Sequence, residues 1–208
     1  MRFVLALVLI FSVNATALAQ EQDAPPCEDA SLNPVPQNLV HYDLQGKRLS
    51  LSDFVTVEGA WRPLTPRPVI LIFGAHWCVP CKGVMAQVHQ AQAQIAAIDA
   101  LVIYLHIDDL DRSDGRSAKE IRELVRELAS GPHYSGVSVL LGGDLSQLRT
   151  WTRRNNDALP GCVFIAPDGG IRATSDAENF AEQLSHFLAA MAHDKAKVDP
   201  PKETTPKP

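Results

Sequence analysis

Basic clusters, long apolar runs and cysteines are all scarce in this 208-residue chain. Lys and Arg total 19 against 24 Asp and Glu, a net charge of −5, and no stretch concentrates the positive ones. Phosphate backbones are met by clustered cations, so nucleic acid is not an expected partner. The apolar run FVLALVLIFSV (Phe3–Val13) has 11 residues, where a spanning helix needs about 20. It follows Arg2 and precedes Ala17-Leu18-Ala19, a small-residue cleavage pattern. Residues 1–19 are therefore expected to be a secretory signal peptide, cut after Ala19, with no membrane insertion afterwards. Cys27 lies too far past Ala19 to be a lipidated cysteine, and no Asn-x-Ser/Thr site follows the cut. Both agree with export to a bacterial periplasm.

The full chain has an ordinary globular composition, 46% hydrophobic and 21% charged. Residues 20–38 are polar and proline-rich, an extended lead-in. From His193 the line HDKAKVDPPKETTPKP is nearly devoid of apolar side chains, so 193–208 reads as a disordered tail. The segment 39–192 is then one domain by length, with no internal repeat.

Strand and helix signals alternate inside it. LVHYDLQGKRLSL suggests a hairpin around Gln45-Gly46. VILIFG (Val69–Gly74) and ALVIYLHID (Ala100–Asp108) are continuous apolar runs, as expected of strands covered on both faces. Val84, Val88, Ala91, Ile95 and Ile98 recur at helical spacing and predict one helix over 80–98. Ser117 and Glu120 form a capping box for a helix stopped by Gly131-Pro132. VSVLL is a short strand, and Asp144 caps a helix through Trp151. CVFIA and Ile171–Thr174 flank a turn, and Ser175 with Glu178 is expected to cap a last helix. The order, hairpin then βαβαβαββα, makes this an α/β chain with a central mixed sheet flanked by helices.

The chemistry concentrates in FGAHWCVPCKG, residues 73–83. Cys78 and Cys81 fall at the junction of a buried strand and a helix. At i and i+3 of a first helical turn they are close enough to form a small disulfide ring. Cys78, at the helix N-terminus, meets unpaired N–H groups and the macrodipole, which stabilise its thiolate. Cys78 is expected to be exposed and to act as nucleophile, with Cys81 shielded and resolving. Pro80 suits a first turn, where its missing N–H costs nothing. A structural zinc site would need four ligands, usually two such pairs. Only one pair is present, so no metal site and no cofactor are expected. Trp77 is placed on the docking surface beside Cys78. His76 could assist proton transfer or be a loop histidine without a role.

The segment LIFGAHWCVPCK resembles the active-site segment of thioredoxins, and ALPGCVFIAPDGGI resembles the family's second landmark, a proline ahead of a strand ending in a DG turn. The early hairpin, LSLSDF and the extra helix and strand between Ala100 and Gly142 resemble the exported TlpA/ResA/DsbE branch of thiol–disulfide oxidoreductases. The resemblance implies a thioredoxin-like fold with an N-terminal β-hairpin and a central αβ insertion. It implies that Pro160 follows a cis bond, faces the cysteines and keeps metal from them, and that the Leu159 backbone pairs with a substrate chain. It also implies protein thiol or disulfide substrates and a membrane electron donor. The chain departs from that branch at Val84 and Ala86, where Glu and Pro are usual, at Gly74, where an aromatic is common, and at Ile72, where thioredoxins carry a buried Asp.

Val79-Pro80 between the cysteines lacks the His of strongly oxidising motifs, which favours a reductase. The alternative is a copper-binding module using Cys78, Cys81 and His76 as soft ligands. Peroxidase chemistry lacks its P-x-x-x-T-x-x-C arrangement. Cys27 and Cys162 are either a structural disulfide pinning the lead-in or two free thiols. Residues 108–120, DDLDRSDGRSAKE, put acids near calcium-loop spacing, but Asp114 occupies the position that needs Gly, so a solvated acidic loop is expected.

Overall fold

The computed structural model describes residues 40–50 and 67–198. The signal-peptide, lead-in and Cys27 expectations fall outside those residues.

Apolar runs form the central strands. β3 (Val69–Gly74) is buried along its whole length and β4 (Leu101–Ile107) almost so. They pair in parallel, Val69 opposite Leu101 through Gly74 opposite His106. β4 also pairs in parallel with β5 (Ser138–Gly143), while β3 is antiparallel to β6 (Gly161–Ile165) and β6 to β7 (Ile171–Ser175). The hairpin β1 (Val40–Tyr42) and β2 (Arg48–Ser50) joins through Tyr42 opposite Leu141. The seven strands run in the order β2-β1-β5-β4-β3-β6-β7. This is the mixed sheet expected, with its N-terminal hairpin at one edge.

Because strand side chains alternate between faces, the sheet builds two cores. Ile70, Ile72, Val102, Tyr104, Cys162 and Phe164 face one way, against α1 (Val79–Gln90), α4 (Ala118–Ala129) and α6 (Phe180–Val198). Val69, Leu71, Phe73, Ile103, Leu105 and Val163 face the other, against Leu148 and Trp151 of α5 (Leu145–Thr152).

Several boundaries differ from the sequence reading. The helix expected over 80–98 is two, α1 and α2 (Gln92–Ala97), because Ala91 (φ −87°, ψ 4°) ends one and starts the next. Ile95 and Ile98 remain buried across the break. Ser175 does not cap α6: it is buried at the end of β7, and Asp176 Oδ1 instead accepts from the N–H groups of Glu178 and Asn179. α6 continues past His193, where the tail was expected to begin, and Lys195 Nζ donates to the carbonyl of Ala97 at 2.8 Å. The acidic segment after β4 is not simply solvated. It opens with a further helix, α3 (Asp108–Ser113), in which Asp108 and Asp111 are buried.

Candidate active site

β3 delivers the chain to the CxxC turn. Cys78 is the N-cap of α1, at φ −70° and ψ 104°, and its Sγ accepts the backbone N–H of Cys81 at 3.2 Å. Pro80 lies in the first turn, as the missing donor allows. Cys78 and Cys81 form a disulfide, with their Cα atoms 5.3 Å apart. The carbonyl of Ala75 holds the turn from inside: it accepts from the Cys78 N–H and from the Tyr104 hydroxyl, both at 3.1 Å. Tyr104 is the reason position 74 is glycine, because a Cβ there would run into the tyrosine ring and hydroxyl.

The expected asymmetry of exposure between the sulfurs is mostly absent. Cys81 is wholly buried, but Cys78 is only 3% exposed. Cys78 belongs to the same buried cluster as Cys81 and Ala75, which is why a position at a helix start does not by itself expose it. Its neighbours are the exposed ones: Trp77 is 48% and Val79 73% exposed, the large apolar side chains most open to solvent near the pair. Ile72 and Val84, at the positions where an acid is usual, are both buried in the core on the α1 side.

The Leu159–Pro160 peptide bond is cis. Pro160 is buried and immediately precedes β6, whose Gly161 pairs with Phe73. That register puts Pro160 at the end of the sheet where β3 enters the CxxC turn. Leu159 is partly buried and packs against both cores. Cys162, one residue into β6, is a wholly buried free thiol paired across the sheet with Ile72. Burial pushes its pKa up to about 12, partly opposed by a hydrogen bond with Ser175. The alternatives of a bond to Cys27 or two free thiols involve a residue outside those described.

His76 has polar partners that the sequence reading missed. Its Nδ1 lies 3.4 Å from His106 Nε2 and 3.3 Å from Asp111 Oδ2. His106, wholly buried, sits opposite Gly74 at the end of β4, and its Nδ1 is 2.9 Å from Asp108 Oδ1. Asp111 Oδ1 accepts from Arg116 Nη1 at 2.9 Å. Burial, outweighing the attraction of the Asp111 charge, holds the His76 pKa below the ordinary histidine value. His106 was hidden inside an apolar run and Asp111 inside an acidic one. The usable signal was the spacing: a histidine two residues before Asp108 and five before Asp111, at a strand end.

No family model and no curated protein sequence matches the chain. Solved structures do. It is similar to a thioredoxin-like protein from Porphyromonas gingivalis, at 17% identity and a TM-score of 0.55 over 79% of this chain and 94% of that one. It is similar to a thiol:disulfide interchange protein DsbE from Chlorobium tepidum, at 20% identity and 0.50 over 74% and 92%. MTB dsbF matches at 17% identity and 0.51 over 76% and 98%. A likeness of shape at such low identity speaks to architecture, and with the disulfide at the start of α1 it settles one point: the chain has a thioredoxin-like fold.

Proposed function

We propose that this chain is an exported thiol–disulfide oxidoreductase that acts on protein substrates, in the reducing direction. The observation that carries the reading is the Cys78–Cys81 disulfide at the N-terminus of α1, with Cys78 Sγ already accepting a helix N–H. In the reduced protein that N–H and the helix dipole stabilise a Cys78 thiolate. The thiolate attacks one sulfur of a substrate disulfide, forming a mixed disulfide and expelling a substrate thiolate. Cys81, losing its proton, then attacks Cys78 Sγ, closes the ring and releases the second substrate thiolate. Two electrons pass to the substrate, and a dithiol donor at the membrane restores the pair.

Trp77 and Val79 offer apolar contact to a docking chain, and Leu159 beside the cis Pro160 offers backbone for a short strand pairing. Arg2, the apolar run Phe3–Val13 and Ala17–Ala19 support export to the periplasm. Among the described residues no helix is long and apolar enough to cross a membrane.

The test is trapping. Cys81→Ala leaves Cys78 unable to complete exchange, so mixed disulfides with periplasmic proteins accumulate on non-reducing gels and disappear with Cys78→Ala. Absence of such adducts in cells that make the variant ends the proposal. An equilibrium potential against glutathione decides the direction: a value near about −120 mV, as in a strong oxidant, overturns the reductase assignment.

A further inference from the structure

We propose that His76 Nδ1, His106 Nε2 and Asp111 Oδ2 form a three-ligand site for a zinc-like divalent cation, with its fourth tetrahedral position left for water or a small ligand. The three atoms come from three elements: the turn after β3, the end of β4, and α3. They meet at the C-terminal ends of two parallel strands, where open α/β sheets place ligands.

The distances select the geometry. The three edges of the triangle are 3.4, 3.3 and 3.4 Å. Ligands about 2.0–2.1 Å from a tetrahedral ion lie about 3.3–3.4 Å apart, whereas octahedral neighbours at the same bond length lie about 2.9 Å apart. The near-equilateral triangle therefore has the size of one face of a zinc tetrahedron. Two imidazoles and one carboxylate are a donor set that such ions accept.

The atoms behind the ligands are arranged as metal sites require. Asp108 Oδ1 lies 2.9 Å from His106 Nδ1, and Asp108 Oδ2 accepts the backbone N–H of Gly142 at 3.0 Å. In the tautomer that donates Nδ1–H to Asp108, the Nε2 lone pair turns toward Asp111, the carboxylate–histidine arrangement found behind metal ligands. Asp111 is wholly buried. Its Oδ1 is held by Arg116, but Oδ2 has no hydrogen-bond partner among the described residues. Two acceptor atoms, His106 Nε2 and Asp111 Oδ2, thus face each other 3.4 Å apart out of water. Such an arrangement is costly unless a positive species lies between them. His76 Nδ1–H could serve only one of the two, whereas a cation inside the triangle serves all three atoms.

The test uses tag-free full-length protein carrying Cys78→Ser and Cys81→Ser, so that no thiol at the CxxC turn can bind metal. Equilibrium dialysis against Zn2+, with elemental analysis, should give one ion per chain. Co2+ should give the intense visible absorption of a tetrahedral complex. Asp111→Asn and His106→Gln should each weaken binding at least tenfold, and Asp108→Asn by about 10–100-fold. If these buried variants do not fold, as judged by circular dichroism, His76→Ala on the half-exposed turn carries the same test. Zinc binding below one per chain, a pale six-coordinate Co2+ spectrum, or affinity unchanged in the folded variants overturns the site. Because the thiols are absent, none of these outcomes bears on the redox reading.

Discussion

The sulfur of Cys78 lies 3.2 Å from the backbone nitrogen of Cys81, whose N–H it accepts. On reduction the same donor faces a thiolate, while Cys81 keeps its place in the core. Alkylation of the reduced protein at neutral pH, followed by peptide mapping, should label Cys78 at least tenfold faster than Cys162 and leave Cys81 to react later. Cys78 is 3% exposed in the disulfide form, so the experiment also measures how far the turn opens. Labelling of Cys78 as slow as that of Cys162 would remove the nucleophile.

Cys162 makes the opposite prediction. Its thiol has an ordinary value of 9.0 and is pushed by burial up to about 12 in the fold. A pKa raised in the folded state stabilises the protein fully below the unfolded value. That contribution is lost as pH rises from about 9 toward 12, because the unfolded thiol ionises first. Native protein should resist iodoacetamide at Cys162 at mildly alkaline pH and react once unfolded in guanidinium. Stability should decline across that alkaline window, with a shallower decline in Cys162→Ala. Ready labelling of Cys162 in the native state would contradict its burial.

Gly161 begins β6 under α5. A Cβ added there would strike Leu148 Cδ1 and come within 2.7 Å of Thr152 Cγ2, and both residues are buried. Overpacking of this kind costs about 1–3 kcal/mol. Gly161→Ala should lower the unfolding free energy by that amount, read as a lower urea midpoint with an unchanged m-value. Combined with Leu148→Ala it should cost less than the sum of the two single changes, since the smaller side chain admits the methyl group. Strict additivity would show that the clash is relieved elsewhere.

Tyr104→Phe removes one of the two donors to the Ala75 carbonyl and leaves the ring in place. A loss of about 0.5–1.5 kcal/mol is expected from the hydrogen bond. With the turn less firmly held, reduction of the Cys78–Cys81 disulfide by dithiothreitol should be faster in the variant. A rate equal to wild type with an unchanged denaturation midpoint would mean that the hydroxyl does not restrain the turn.

Strand and helix order was legible because each buried strand is an uninterrupted apolar run and the Ser117–Glu120 cap is spelled out locally, with Ser117 Oγ accepting the Glu120 N–H and Glu120 Oε2 accepting the Ser117 N–H. The break at Ala91 was not, since neither Gly nor Pro marks it and the apolar spacing passes through it undisturbed. α3 escaped because DDLDRS is read by composition as solvated, whereas Asp108 and Asp111 are buried beside His106 of β4 and His76 of the turn after β3. The disulfide pair could be named from the CxxC spacing and its place between strand and helix. The shielding of Cys78 could not, because it depends on which side chains gather over the turn. His76 was visible, but its partners His106 and Asp111 lie 30 and 35 positions further on, brought near only by the pairing of β3 with β4.

An aromatic ring does lie beneath the turn of this chain, though not at position 74. It is supplied by the adjacent strand, as Tyr104, into space that glycine leaves free. The volume beside Gly74 is filled from across the sheet, so neither position can be read without the other. A larger side chain at the end of β3 should therefore be accommodated only together with a smaller one at position 104 of β4.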